Sequence, residues 1–324
     1  MAESILTKDQ IQFFKEEGYI VAEDVVPHEV LDSVAHELSV EIDKRARRLY
    51  ELGELSELYE EDGFETRLAK ISQETDQLAL SIWNHALHGP QIFHLITNDR
   101  VVDLAEQIVG SEIIASSVYR LRPKIPNYGY GAVPWHQDSA YFEPFCDPHM
   151  ILTFWVPLVD ATIENGCLWV IPKSHTGRVV AHKADKSGKY LQIERDEFPH
   201  TGKRVACPVK KGGILVMTNR TAHASFQNKT DRVRWSMDLR YQNADLPTNA
   251  RITREPHESQ ETLESGVPAA CYPPEADFLV RSRTRPEEVL RTPEEFAELR
   301  EKHVPQEVTN RFNVKWAEPK ALKL

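Results

Sequence analysis

From Glu112 to about Gln242 the sequence is a succession of short β-rich runs, and few folds can use such a stretch. The runs are IIASSVYRLR, MILTFWVPL, CLWVI, RVACPV, GGILVM and RVRWSMDLRY, with Pro, Gly, Asn and Asp between them. β-Branched and aromatic residues suit a pleated surface, and the turn residues end each run. Many short strands separated by turns predict a sandwich or barrel, most naturally a double-stranded β-helix (a jelly roll of the cupin kind).

Residues 1–110 follow a helical period instead. Thr7 and Gln10 make a capping box ahead of an apolar stripe of Ile11, Phe13 and Phe14, and Gly18 stops that helix. Val30, Leu31, Val34, Leu38 and Ile42 predict a second helix from about His28 to Glu61. A third is predicted from about Gln91 to Val109, ended by Gly110. The expectation is one α+β domain over 1–324, mainly β with flanking helices. It has a helical part (1–110), a jelly-roll core (111–245) with a polar insert at about 181–203, and an irregular and helical extension (246–324). Thr292 to His303 reads as a capped helix in that extension. Asn165-Gly166 reads as a turn.

A formal charge of −11 argues against a nucleic-acid or anionic-membrane partner, since both need a basic footprint. No apolar run approaches a membrane span, so a small-molecule substrate is the expected partner, with the chain a monomer or homodimer. Cys146, Cys167, Cys207 and Cys271 are scattered without CxxC pairs and read as buried thiols in a reducing compartment. The N-terminus lacks a secretory layout, and the final Leu322-Lys323-Leu324 departs from a peroxisomal tail at its first position. The cytoplasm is therefore the default expectation.

The chemistry concentrates in Pro134-Trp135-His136-Gln137-Asp138 and in His223. In a strand or strand-edge loop, residues two apart face the same way, so His136 and Asp138 can aim at one ion. His223 follows the run GGILVMTN, where a strand end could return it to the same place. Two histidines and a carboxylate with open coordination positions suit Fe(II), although zinc also accepts such a set. A dicarboxylate co-substrate would need an arginine fork, and Arg232, Arg234 and Arg240 compete for that role. Arg232 and Arg234 share a strand face, so alternation alone does not separate them.

The surrounding motifs are more specific than HxD. PWHQDSAYF, FWVPLVDATIENGCLWVIPKSHTGRV and NRTAHASFQNKTDRVRWSMDLRY occur in that order, behind an opening LTKDQIQFFKEEGYIV. Together they resemble the phytanoyl-CoA dioxygenase family of Fe(II)/2-oxoglutarate-dependent oxygenases, over most of the chain except the C-terminal part. The resemblance implies that His136, Asp138 and His223 bind Fe(II), and that Arg234 anchors 2-oxoglutarate beside Ser225. It implies that Gln137, Thr153 and Trp155 border 2-oxoglutarate and that Lys70 reaches it from the helical region. His175 lies near the pocket in the family, and Lys173 stands where the family usually has Gly, which puts the local turn in question. The implied reaction uses O2 to convert 2-oxoglutarate to succinate and CO2 while hydroxylating a small-molecule C–H bond. Asp138 favours hydroxylation over halogenation, because related halogenases lack the metal carboxylate. Two rivals remain at this stage: a Zn or Mn cupin-type hydrolase or isomerase, and a non-catalytic jelly-roll binding protein.

Overall fold

The computed structural model describes residues 4–84, 87–128, 131–142, 146–186, 190–198, 202–246, 269–271, 276–303 and 306–308. Helix α1 (Lys8–Glu17) starts on the expected capping box. Thr7 Oγ1 accepts from the Gln10 N–H, the Gln10 carboxamide accepts from the Thr7 N–H, and Gly18 ends the helix at φ 80°. Phe14 is buried, but Phe13 is 42% exposed, so the apolar stripe is narrower than expected. Strand β1 (Tyr19–Ala22) follows, then α2 (His28–Glu51), which buries Leu31, Val34, Leu38 and Ile42. This helix does not continue to Glu61; it stops at Leu52, and Gly53 then adopts φ 72°.

Helices α3 (Phe64–Glu74), α4 (Gln77–Asn84), α5 (Pro90–Ile96) and α6 (Asp99–Val109) complete the helical part. The single helix expected over Gln91 to Val109 is two. The Asn98 side chain accepts the Arg100 N–H and caps a new helix there.

The strands are β2 (Ile113–Ala115), β3 (Arg120–Lys124), β4 (Val133–His136), β5 (Ile151–Pro157), β6 (Leu168–Val170), β7 (His182–Ala184), β8 (Leu191–Ile193), β9 (Val205–Cys207), β10 (Ile214–Thr218), β11 (His223–Ser225) and β12 (Arg234–Asn243). Beyond them lie β13 (Ala269–Cys271), β14 (Phe278–Arg281), helix α7 (Pro293–Lys302) and β15 (Gln306–Val308). The larger antiparallel sheet runs β1-β10-β5-β12-β2-β14, with β3 also paired to β12. The smaller runs β4-β11-β6-β9. Two antiparallel sheets with flanking helices are the architecture expected.

Period-2 alternation in the larger sheet decides what faces the interior. On β12, Trp235, Met237, Leu239 and Tyr241 enter the core between sheet and helices, so Arg234, Ser236, Asp238 and Arg240 face the opposite way. On β5, Leu152, Phe154 and Val156 join the helix-side core. Trp155 instead packs between the sheets with Cys167, Leu168, Cys207, Leu215 and Met217. The inter-sheet space therefore has an apolar end and a polar face. Cys146, Cys167 and Cys207 are buried, as expected of thiols.

The insert is more ordered than a polar loop. It forms the β7–β8 hairpin, and the Leu191 N–H donates to Tyr141 Oη at 2.8 Å, which ties it to the turn after β4. Lys173 adopts φ 65°, the left-handed conformation a glycine would take freely. Its N–H donates to Glu17 O at 2.9 Å and its ammonium pairs with Glu17 at 3.3 Å, which compensates the strained turn. In the extension, α7 has its capping box from Thr292 and Glu295, and buried Arg300 donates to Ser117 O at 2.9 Å. The chain's last three residues lie outside the described residues, as does the side chain of Cys271.

Candidate metal centre

Cross-strand register assembles the site. His136 ends β4 and His223 begins β11, and the two residues are direct partners in the antiparallel ladder. Their rings lie 4.2 Å apart between centroids. Asp138 opens a single 3-10 turn directly after β4, which returns its carboxylate to the same place. Asp138 Oδ1 lies 3.6 Å from His136 Nε2 and 3.8 Å from His223 Nε2, and one ligand atom from each residue falls within 4.8 Å of the others. All three residues are buried.

Each ligand is oriented by its second polar atom. His136 Nδ1 contacts Pro134 O at 2.8 Å and His223 Nδ1 contacts Thr221 O at 2.9 Å. A carbonyl accepts only from an N–H, so both rings carry the proton on Nδ1 and present a bare Nε2 lone pair. Asp138 Oδ2 accepts from Thr153 Oγ1 at 2.6 Å and from Arg240 Nη2 at 3.1 Å, which leaves Oδ1 for an ion. Burial works against ionisation of Asp138. The Arg240 guanidinium, which donates to Oδ2, outweighs it and holds the carboxyl well below its usual range. Burial lowers His223 to about 4, so its imidazole is neutral and ready to ligate at physiological pH.

Two residues along β11, Ser225 faces the same side as His223, about 7 Å away along the strand. Ser225 Oγ accepts from Lys124 Nζ, which also donates to Phe226 O at 2.6 Å. Lys124 is 1% exposed and is the direct ladder partner of Arg234, which is 2% exposed. The Arg234 guanidinium lies over the Trp155 ring at 5.0 Å and donates to Ser236 Oγ. Neither cation forms an ion pair with a carboxylate among the described residues, and Arg234 Nε has no hydrogen-bond partner. Burial, then the charge of Arg234, pushes the Lys124 ammonium well below its ordinary value, and burial lowers Arg234 to about 10. Two adjacent buried cations without a counter-ion form a costly arrangement that an anionic ligand would relieve.

The family model of phytanoyl-CoA dioxygenase matches residues 14–236, well over half of the chain. The chain belongs to the phytanoyl-CoA dioxygenase family. Among curated relatives, an Arabidopsis thaliana phytanoyl-CoA dioxygenase is 27% identical over 72% of this chain and 88% of its own length. The bovine (Bos taurus) phytanoyl-CoA dioxygenase domain-containing protein 1 is 33% identical over 46% of this chain, and the chain spans about half (53%) of that relative. Among solved structures, the apo form of a non-heme monooxygenase, ThoJ, aligns with TM-score 0.59 at 18% identity. It covers 91% of this chain and 95% of its own, a likeness of fold.

The family pattern places the residues unevenly. His136, Asp138 and His223 come together, and Lys124 links Ser225 on β11 to its ladder partner Arg234 on β12. Arg232, which alternation could not separate from Arg234, is exposed ahead of β12, and Arg240 pairs with Asp138. Thr153 bonds the metal carboxylate, and Trp155 is the platform beneath Arg234. Gln137 is spent on the insert: its side chain donates to Arg220 O at 2.8 Å and accepts from the Val180 N–H at 2.9 Å. Its own N–H donates to His182 Nε2 at 3.0 Å.

Lys70 is not brought to the site. Its ammonium pairs with Asp62 at 2.9 Å and stands over the Tyr59 ring, on a helix whose charged side faces outward. The lysine beside Arg234 is Lys124, from a strand, which sequence reasoning missed. The available signal was the alternation of Arg120, Arg122 and Lys124, which continues two residues past the run read as a strand, IIASSVYRLR. His175 braces α1 through Nε2 and Lys15 O at 3.0 Å. Gly166 (φ 85°) makes room for Lys124, since a Cβ there would stand 2.8 Å from Lys124 Cδ and 2.6 Å from Phe226 O.

Proposed function

We propose that this protein is an Fe(II)- and 2-oxoglutarate-dependent oxygenase that hydroxylates a C–H bond of a small-molecule metabolite. One observation carries the reading: a His-Asp-His cluster with bare Nε2 and Oδ1 donors shares strand β11 with Ser225, which holds one of two adjacent buried cations that lack a carboxylate. Two imidazoles and one carboxylate suit iron(II) with positions left over, so the donor set fits the group. When bound, the ferrous ion and 2-oxoglutarate would supply the oxygen-activating chemistry, yielding succinate, CO2 and an oxidised substrate.

This chain's residues do the rest. His136, His223 and Asp138 hold the ion, and the Pro134 and Thr221 carbonyls keep both imidazoles in the ligating tautomer. Thr153 and Arg240 occupy Asp138 Oδ2 and keep the carboxylate monodentate. Arg234, Ser225 and Lys124 would receive the distal carboxylate. The Trp155 ring shields Arg234 from water and strengthens its attraction for the anion.

The test is Fe(II)- and O2-dependent succinate release from 2-oxoglutarate, measured with the wild-type protein and with Asp138→Ala. Loss of succinate formation in the variant is expected. Equal release from both proteins would remove the triad from the reaction.

A further inference from the structure

The inner face of the larger sheet holds a third cationic position that neither the metal nor the co-substrate employs. Arg122 Nε donates to Asp238 Oδ2 at 2.9 Å, and its guanidinium lies on the Trp83 ring at 4.6 Å. Its two terminal nitrogens make no hydrogen bond among the described residues, so one edge of the fork stays open. Met237 and Leu239 on the same strand are almost fully buried, yet Asp238 and Arg122 side chains are 15% and 24% exposed. Those two side chains therefore reach solvent through an opening on the sheet's inner face.

This opening adjoins the metal centre. Asp238 is two residues from Arg240, which holds Asp138, and it lies within electrostatic reach of His223. The Tyr141 ring is 5.7 Å from the His136 ring, edge to face. Tyr141 and Tyr190 both lie within electrostatic reach of Arg122, and Tyr190 meets Trp83 edge to face at 6.5 Å. Tyr190 directly precedes β8, the second arm of the insert's hairpin, so the insert supplies part of the wall.

Charge on this face decides what the opening accepts. Among the described residues, alternation puts Arg120, Arg122, Lys124, Arg234 and Arg240 on one face with Asp238, and Arg240 reaches Asp138, in a chain whose net charge is −11. A ferrous ion and a 2-oxoglutarate dianion cancel each other, so an excess of positive charge remains, even with Lys124 unprotonated. We propose that the open edge of Arg122 binds a carboxylate on the substrate, with a cyclic or planar body against Trp83, Tyr141 and Tyr190. A single fork edge suits one carboxylate, and the neighbouring Asp238 disfavours a phosphate dianion. The substrate class is an organic monocarboxylate with a ring-bearing body, and the inference rests on the co-substrate reading above.

The test uses full-length protein loaded anaerobically with Fe(II) and 2-oxoglutarate, titrated calorimetrically with 3-phenylpropanoate and with its uncharged amide. The acid should bind at least tenfold more tightly than the amide. Arg122→Met should abolish that preference while 2-oxoglutarate affinity stays within twofold. The double variant Arg122→Met/Asp238→Asn, which leaves no unpaired carboxylate, should behave alike if the single variant is unstable. Equal binding of acid and amide by the wild type, or no binding of the acid, overturns the proposal. So does a variant that loses 2-oxoglutarate affinity instead, since Arg122 would then serve the co-substrate. Failure of the wild type to bind 2-oxoglutarate would sink the oxygenase reading instead, and the same titration series reports it.

Discussion

Lys124→Met separates a ligand-binding lysine from a structural one. Methionine approximates the lysine stem, so the slot beside Gly166 stays filled while the charge disappears. Lys124 Nζ already touches Ser225 Oγ and sits across the ladder from Arg234, so a distal carboxylate there receives a charge-assisted hydrogen bond from it. Removing such a bond costs about 2 kcal/mol, roughly 30-fold in Kd. At a concentration one hundred times the wild-type Kd, 2-oxoglutarate stabilises the native protein by about 2.7 kcal/mol; for the variant this falls to about 0.9 kcal/mol. Titration calorimetry on the Fe(II)-loaded anaerobic protein reads the first quantity, and denaturation with and without ligand reads the second. The control is 2-oxobutyrate, which keeps the oxo acid and lacks the distal carboxylate, so its affinity should not change. A 2-oxoglutarate Kd within twofold of wild type, or equal weakening of both ligands, would refute the reasoning.

Four further outcomes follow from the same geometry. Asp138→Ala should remove Fe(II) binding together with succinate formation, as read by metal content after gel filtration. Arg240→Met leaves Thr153 as the remaining partner of Asp138 Oδ2 and should weaken Fe(II) binding by about 10- to 100-fold in a chelator competition. Gly166→Ala adds a Cβ against Phe226 O and Lys124 in left-handed backbone, so it should cost about 1–3 kcal/mol in urea unfolding and weaken 2-oxoglutarate binding. In metal-free protein His223 and His182 should each contribute a loss of stability on acidification, which the buried carboxyls Asp147 and Asp277, raised to about 7 and about 6 by burial, oppose. Burial lowers His223 to about 4 and His182 to about 3, below the unfolded value near 6.5, so between these limits the unfolded chain binds more protons. Their contribution is therefore retained above that value and lost as pH falls; at pH 5.5 each histidine costs about 1.4 kcal/mol. Urea unfolding at pH 7.5 and 5.5 checks this against His182→Asn, whose change in stability over that interval should be more favourable than that of the wild type by about 1.4 kcal/mol.

Local rules account for what could be read directly. Capping at Thr7 and Thr292, the stop at Gly18 and the alternation of β12 depend on neighbours a few residues apart, so the linear sequence contains them. The triad was legible because His136 and Asp138 are neighbours in the chain and the family motif locates His223. Asn98, which splits one expected helix in two, was missed because a capping side chain resembles any polar residue inside a helical pattern. Chain folding alone decided how the cations divide. Arg232, Arg234 and Arg240 are alike in type and close in number, yet one meets solvent, one faces a buried lysine and one holds the metal carboxylate. Lys124, to which no role was assigned from sequence, stands beside Arg234 because ladder pairing brings it there, while an outward helix face gives Lys70 to Asp62. Residue type and periodicity specify which side chains share a face. Only strand register across long sequence separations specifies which of those faces meet, and there the site acquires its charge.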